Sequence, residues 1–465
     1  MRVTTKHRAN RLVNVALLSL AAIICVAPLL TLALHPSFFA AVVSLTAALG
    51  AVALCLTVSR SSFDSRVLVL LTVTAVAVPL YGFEAYLRLA SSASASHPPD
   101  AVIRDNQGRT KREFITMLHR TDDKVVSAFS ISVLHQSPNL RAAAQHWDVL
   151  PLAGVSHRMT VHCNEDGTWT SYHSDRYGFR NPDKLWDVPA SVVVIGDSFT
   201  HGACVNDGDD YVSMLRERLP ATLNLGVTGN GPLTELAILR EYGSVAHPKT
   251  VIWAYYEGNE FRLINEETFS ILARYRNTDF IQDLPKKQDR IDDLLDKAFQ
   301  AEFAAGGVPE SMPAEHSQEE IQIGHHETPS MGFWLSEVLG FVKLSQLRSL
   351  VGFTRPGRDY FEDYTSILMQ AQKDTERWGG RLVLVYLPSQ QTLAKRLDSS
   401  KREKVRMRSI AKTLGIDFID VHEPMLRSED PLGYFPKRKA YHYNKAGYRV
   451  VANCILNYFE QGDRR

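Results

Sequence analysis

Two stretches near the N-terminus, Leu12 to Leu34 and Phe38 to Val58, contain no Asp, Glu, Lys or Arg. Each is long enough to cross a bilayer as a helix, the form in which a single segment satisfies all its own backbone polar groups in lipid. A third run, Val67 to Phe83, carries Pro79 and is extended by Ala85-Tyr86-Leu87. The sequence therefore predicts three spans, at about 12–34, 38–58 and 67–87, with His35-Pro36-Ser37 forming a tight hairpin between the first two. Arg2, Lys6, Arg8 and Arg11 precede the first span, and Arg60 and Arg66 flank the second connection. Basic residues on alternate loops place the N-terminus in the cytoplasm, and an odd number of spans puts the chain after about residue 90 on the outer face. A cleaved signal peptide is disfavoured, because the first run is too long, lacks a small-x-small cleavage site and is followed by two more.

The averages conceal this. A mean hydropathy of −0.15 describes a soluble protein, yet the apolar residues are concentrated at the front. Lys plus Arg total 52 against 51 for Asp plus Glu, so the net charge of +1 gives no bulk attraction to nucleic acid. Five cysteines without CxxC or paired Cys/His spacings exclude a zinc ribbon and a disulfide-dense mini-protein. His157, His162, Cys163 and His173 match no helical i, i+4 metal site, and His325-His326-Glu327 reads as a solvated loop, so no metal is expected.

Residues 1–90 read as the anchor and 91–185 as a linker with an accessory, strand-containing region. Ser91 to Pro99 is the linker, Asp123 to His135 contains a candidate strand, and Met159 to Tyr172 reads as a hairpin turning at Glu165-Asp166-Gly167. From 186 to 462 short apolar runs alternate with helical patterns: 191–196, 221–226, 250–256, 381–387 and 416–421. Runs of Val, Ile and Leu without polar alternation suit strands buried on both faces, which predicts an α/β domain with a parallel sheet between helical layers. An insertion at about 262–378 interrupts it. Within that insertion Pro309 to Ser330 predicts a mobile loop, and Phe333 to Val351 has the apolar spacing of a helix able to cap a cleft.

In an open parallel sheet, ligands bind beyond the carboxyl ends of the strands. The first strand ends in Gly196-Asp197-Ser198-Phe199-Thr200, where the serine opens the next helix with an unpaired N–H of its own. The second ends at Gly226, the third in Gly258-Asn259-Glu260, and His442 stands just before the last apolar helix. A nucleophilic serine needs a base and donors aimed at the developing oxyanion. Ser198, His442, Gly226 and Asn259 are the candidates for those parts, with Asp197 shaping the turn. Cys25 and Cys55 fall within predicted spans, whereas Cys163, Cys204 and Cys454 lie outside, where oxidation is permitted. Cys163 with Cys204 is the expected pair, because both flank the predicted site.

In chain order these blocks read Ser, Gly, Asn, His, which resembles the SGNH (GDSL-type) hydrolase superfamily over roughly residues 190–260 and 380–460. The approach Ser174-Asp175-Arg176-Tyr177-Gly178-Phe179-Arg180 is similar to the lead-in of membrane-anchored envelope members. The resemblance implies a flavodoxin-like three-layer parallel sheet of the SGNH hydrolase type, here behind an N-terminal three-helix transmembrane anchor. It implies Ser198 as nucleophile, His442 as base, an oxyanion hole from the Ser198 and Gly226 amides with the Asn259 side chain, and no cofactor. It also implies an esterase on the outer face of a bacterial inner membrane, acting on O-acyl, chiefly O-acetyl, groups of a glycan and meeting envelope polysaccharide assembly partners. Two departures stand out. The family's GND is Gly258-Asn259-Glu260, and the aspartate three residues before the histidine is Lys439. Two alternatives stay open: an O-acyltransferase using the same site, since an acyl-enzyme can pass its group to a sugar hydroxyl instead of water, and, because of Lys439, a non-catalytic glycan-binding or assembly protein.

Overall fold

The computed structural model describes residues 13–15, 60, 62–94, 103–257, 262–308, 360–395, 398–439 and 442–462. The chain divides into two units, Met1–Ala101 with Gly324–Arg358, and Val102–Ile323 with Asp359–Arg465. In the first, a helix runs over Phe63–Ser94 with Pro79 inside it. Its segment Phe63–Tyr86 has 24 residues with a mean hydropathy of 1.9 and is hardly buried. At ~1.5 Å per residue it reaches about 36 Å, more than the ~30 Å hydrocarbon thickness of a bilayer. Among the described residues this is the one helix long and apolar enough to span a membrane. The first two charge-free runs, apart from residues 13–15, lie outside the described residues, as do Pro309–Ser330 and Phe333–Val351.

The second unit holds the sheet that positions the site. Strands β1 (Val126–Ser127), β2 (Met159–Val161) and β3 (Ser171–His173) form a small sheet, β1 parallel and β3 antiparallel to β2. Strands β4 (Val192–Ile195), β5 (Thr222–Asn224), β6 (Thr250–Tyr256), β7 (Arg381–Leu387) and β8 (Asp417–Asp420) form the main one. Its order is β5-β4-β6-β7-β8, with every pairing parallel. The chain leaves β4 toward one edge and returns past it to β6, so the connections diverge at the carboxyl end of β4. That divergence opens the crevice in which doubly wound sheets bind ligands.

Alternate residues of each strand feed opposite faces. Val193, Ile195, Val251, Trp253, Leu382 and Leu384 share a core with Leu233 and Leu236 of the helix Pro232–Ile238 and with Ile367 and Leu368 of Tyr360–Arg377. Val192, Val194, Ile252, Ala254, Val383 and Val385 share the other with Tyr211 and Leu215 of Tyr211–Arg216 and with Val451 and Ile455 of Lys445–Gly462. The result is three layers with helices on both faces.

One expected strand is shorter than expected and ends in a helix. Within Asp123 to His135 only Val126–Ser127 pairs in a sheet, and Ile131–Gln136 is helical. Val125, Val126, Ala128, Ile131, Val133 and Leu134 are all buried, so the run shows no polar face from which its period could be read.

Candidate active site

Where β4 ends, Gly196 lets the chain fold back against its own helix. A Cβ there would lie 2.2 Å from Thr200 Oγ1 and 3.1 Å from the Ala254 carbonyl. Space, not backbone conformation, demands glycine. Asp197 then caps the helix Ser198–His201, its side chain accepting from Phe199 N at 3.0 Å. Ser198 is the first residue of that helix, in the turn whose amides have no intrahelical carbonyl to bond. It is 5% exposed.

His442 enters from the far end of the chain, just before the helix Lys445–Gly462, whose first turn is held by Asn444 Oδ1 accepting from Ala446 N and Gly447 N. The His442 ring lies 4.9 Å from the ring of Phe199, the residue after Ser198. Its Nδ1 is 2.7 Å from Glu165 Oε1, and its backbone N donates to Glu165 Oε2 at 3.0 Å. A carboxylate only accepts, so Nδ1 carries the proton and Nε2 carries the lone pair. Glu165 thus supplies the carboxylate beside Nδ1, whereas Lys439 is exposed. Both Glu165 and His442 are buried.

The Glu165 turn is held from several sides. Asn164 Oδ1 accepts from Gly167 N at 2.7 Å, Asn164 Nδ2 donates to the Arg104 carbonyl at 3.2 Å, and Asn106 N donates to the Gly167 carbonyl at 2.8 Å. Cys163 and Cys204 form a disulfide with Cα atoms 5.2 Å apart, joining this turn to the segment after the serine helix. Among the described residues, Glu165, Cys204 and His442 form the one group with metal-ligand proximity. Cys204 spends its sulfur in the disulfide and offers no thiolate, so this group does not suit a metal.

Two other histidines lie close by. His162 Nε2 and His201 Nδ1 both contact Thr228 Oγ1, at 2.7 and 3.2 Å, and their rings are 4.5 Å apart. Burial holds both imidazoles neutral: His162 falls well below its usual range, and His201 is brought down to about 3 by burial and then by Arg180 and His442. Of the three, His442 is the one whose protonated form has a carboxylate partner.

Gly226 departs from expectation. Its N–H donates to Asn224 Oδ1 at 2.9 Å, so it is not a free oxyanion donor here. The glycine is needed because a Cβ would sit 2.5 Å from His201 N and 2.6 Å from Thr200 Cβ. Asn224 also donates from Nδ2 to the Thr200 carbonyl at 2.8 Å, tying this loop to the serine helix. Asn259, with Gly258 and Glu260, lies outside the described residues.

The lead-in before β4 is a brace. Asp175 accepts from Tyr177 N, Phe179 N, Asn181 Nδ2 and Trp186 Nε1. Arg180 donates to the Gly202 carbonyl at 2.6 Å, the Val205 carbonyl at 3.0 Å and Asp207 at 2.7 Å, fixing the chain that follows the serine helix. Gly178 has φ +84°, and its Cβ would fall 2.0 Å from the Gly154 carbonyl oxygen.

The helix Pro232–Ile238 carries a buried acid, Glu235. Burial, then repulsion from Asp197 and Glu266, pushes its carboxyl well above the usual range. The folded chain therefore keeps a proton that the unfolded chain releases, and stability falls as pH rises above the unfolded value. Glu235→Gln, which mimics the neutral form, is expected to raise Tm increasingly as pH climbs above about 4.3, the ordinary glutamate value, and to change it little at about pH 4. A Tm difference independent of pH would contradict this.

No protein-family model matches the sequence, and no curated protein does. Solved structures do. A member of the lipolytic protein G-D-S-L family from Veillonella parvula matches at 14% identity and TM-score 0.31, over 58% of this chain and 97% of its own. The chain is similar to GDSL-type hydrolases. A GDSL-like lipase from Bacteroides thetaiotaomicron matches at 12% identity and TM-score 0.31, over 58% and 88%. An acetylxylan esterase from Geobacillus stearothermophilus matches at 14% and 0.30, over 58% and 94%.

Proposed function

We propose that the chain is a membrane-anchored serine esterase of the bacterial cell envelope, acting through a Ser-His-Glu triad on O-acyl esters, with O-acetylated glycan as the substrate class. The observation that carries this reading is the Glu165–His442 bond, which leaves Nε2 as the basic nitrogen of a buried imidazole. In the proposed reaction Ser198 Oγ attacks the ester carbonyl while His442 Nε2 takes its proton. The imidazolium, stabilised by Glu165, returns that proton to the departing sugar oxygen. Water, deprotonated by the same nitrogen, then attacks the acyl-serine, releasing the carboxylic acid and restoring the serine. The Ser198 amide, with the Asn259 side chain, is proposed to bind the oxyanion. Glu165 favours the esterase over the non-catalytic alternative, which Lys439 had kept open.

The glycan as substrate, and envelope partners, come from the sequence resemblance. The test of the chemistry uses the full chain in detergent with a fluorophosphonate probe and p-nitrophenyl acetate. Peptide mapping should find the probe on Ser198, and excess p-nitrophenyl acetate present during labelling should slow its attachment. Attachment to another residue, or none, rejects the reading.

The helix Phe63–Tyr86 and the two charge-free runs before it support an anchor, and the periplasmic side of the inner membrane is proposed from the basic residues on alternate loops. Alkaline phosphatase fused after Ser96 is expected to be active. An inactive fusion beside a fluorescent cytoplasmic reporter at the same position would reverse the topology.

A further inference from the structure

We propose that the Cys163–Cys204 disulfide is a positioning device for the catalytic acid, so that activity depends on its oxidation; this rests on the esterase reading above. Four observations converge. Cys163 stands two residues before Glu165, at the start of the turn that presents the carboxylate. Cys204 belongs to the segment leaving the serine helix, and its Sγ lies 3.9 Å from His442 Nδ1. The cross-link therefore joins the acid's turn to the nucleophile's helix at the histidine itself. Cys204 also has φ +59°, a left-handed conformation that is costly for a non-glycine residue and is kept where the surroundings impose it.

The hydrogen bonds of the Glu165 turn reach Arg104, Asn106 and the turn itself. His162, just before the turn, packs its ring on His201 of the serine helix, and beyond that contact and the carboxylate's own bonds to His442 the disulfide is the covalent tie between this turn and the serine segment. Opening it leaves the acid held to the histidine by the bonds whose geometry it is meant to define. Cys163 is half-buried rather than enclosed, which gives a small reductant access. Exchange with a neighbouring thiol is disfavoured, since burial pushes Cys454, the free cysteine among the described residues, up to about 11.

The redox step is a two-electron one. A water-soluble phosphine attacks the S–S bond and becomes the phosphine oxide by taking oxygen from water, whose two protons end on the Cys163 and Cys204 thiols. Reoxidation with diamide moves those two hydrogens onto the diazene and re-forms the bond.

The experiment compares full-chain wild type, Glu165→Gln and the double variant Cys163→Ser/Cys204→Ser in detergent, before and after phosphine, with released thiols counted. Reduced wild type and the double variant are expected to lose about 100-fold in kcat with p-nitrophenyl acetate and in fluorophosphonate labelling, as a displaced catalytic group does, while KM stays within about twofold. Diamide restores the wild-type rate, showing that the fold survived. Glu165→Gln, already without its acid, loses nothing further on reduction. The proposal is overturned if wild type keeps its rate after two more thiols appear, or if reduction slows Glu165→Gln by the same factor as wild type. Oxidised wild type that neither turns over ester nor takes the probe would instead reject the esterase reading, and this proposal with it.

Discussion

Alanine at position 198 is expected to lower ester turnover by about six orders of magnitude and to abolish fluorophosphonate labelling, while leaving the protein folded. The size follows from what the hydroxyl does: without it there is no acyl-serine, and water must attack unaided by covalent catalysis. A residual rate about 10³–10⁴ above the uncatalysed one is expected from oxyanion donors and binding alone. The fold should tolerate the change. The helix Ser198–His201 is capped by Asp197, not by Ser198, and alanine is well suited to a helix's first turn. A thermal midpoint close to wild type would separate a chemical defect from an unfolded one. His442→Ala should cost about as much, and the double variant little more, because residues of one catalytic unit are not additive. Additive losses would mean that the serine and histidine act separately.

Much of the main sheet is legible in the sequence because of burial on both faces. Leu382–Leu387 and Val251–Tyr256 are unbroken apolar runs, and each lies in a strand that starts one residue earlier. Their period-2 split into two cores is not visible in an all-apolar string, since each position is buried either way. The same blindness makes the stretch within Asp123 to His135 read as a strand, although Ile131, Leu134 and their neighbours form a helix. Gly226 was singled out for an amide its own loop consumes. Its requirement for a bare Cα, against Thr200 and His201, is a packing fact that spacing along the chain does not carry.

The acid was the least legible part. Glu165 and His442 are 277 residues apart, and the acid sits in a turn that reads as an ordinary hairpin loop. A sequence shows proximity only where something covalent or periodic enforces it. Here one such signal existed: pairing Cys163 with Cys204 brings the Glu165 turn against the serine segment. Any acid within a few residues of Cys163 was then a candidate partner for the base.

Glu165→Gln is the change that decides whether this geometry is catalytic. The amide keeps the shape of the carboxylate and can still accept from the His442 backbone N–H. Toward the ring, however, its NH2 group can donate to Nδ1, which favours the tautomer with the proton on Nε2, the nitrogen that must be free to accept from Ser198. The charge that would stabilise the imidazolium is also gone. Loss of the acid in the best-studied serine triad costs about four orders of magnitude in kcat, and a similar loss is expected here with KM nearly unchanged. Lys439→Asp supplies an acid at the family's usual place, but the side chain there is exposed and Nδ1 is already occupied, so kcat should stay within about twofold of wild type. A large gain on Lys439→Asp, or a loss below tenfold on Glu165→Gln (about 1.4 kcal/mol), would show that Glu165 holds the histidine in place without powering its chemistry.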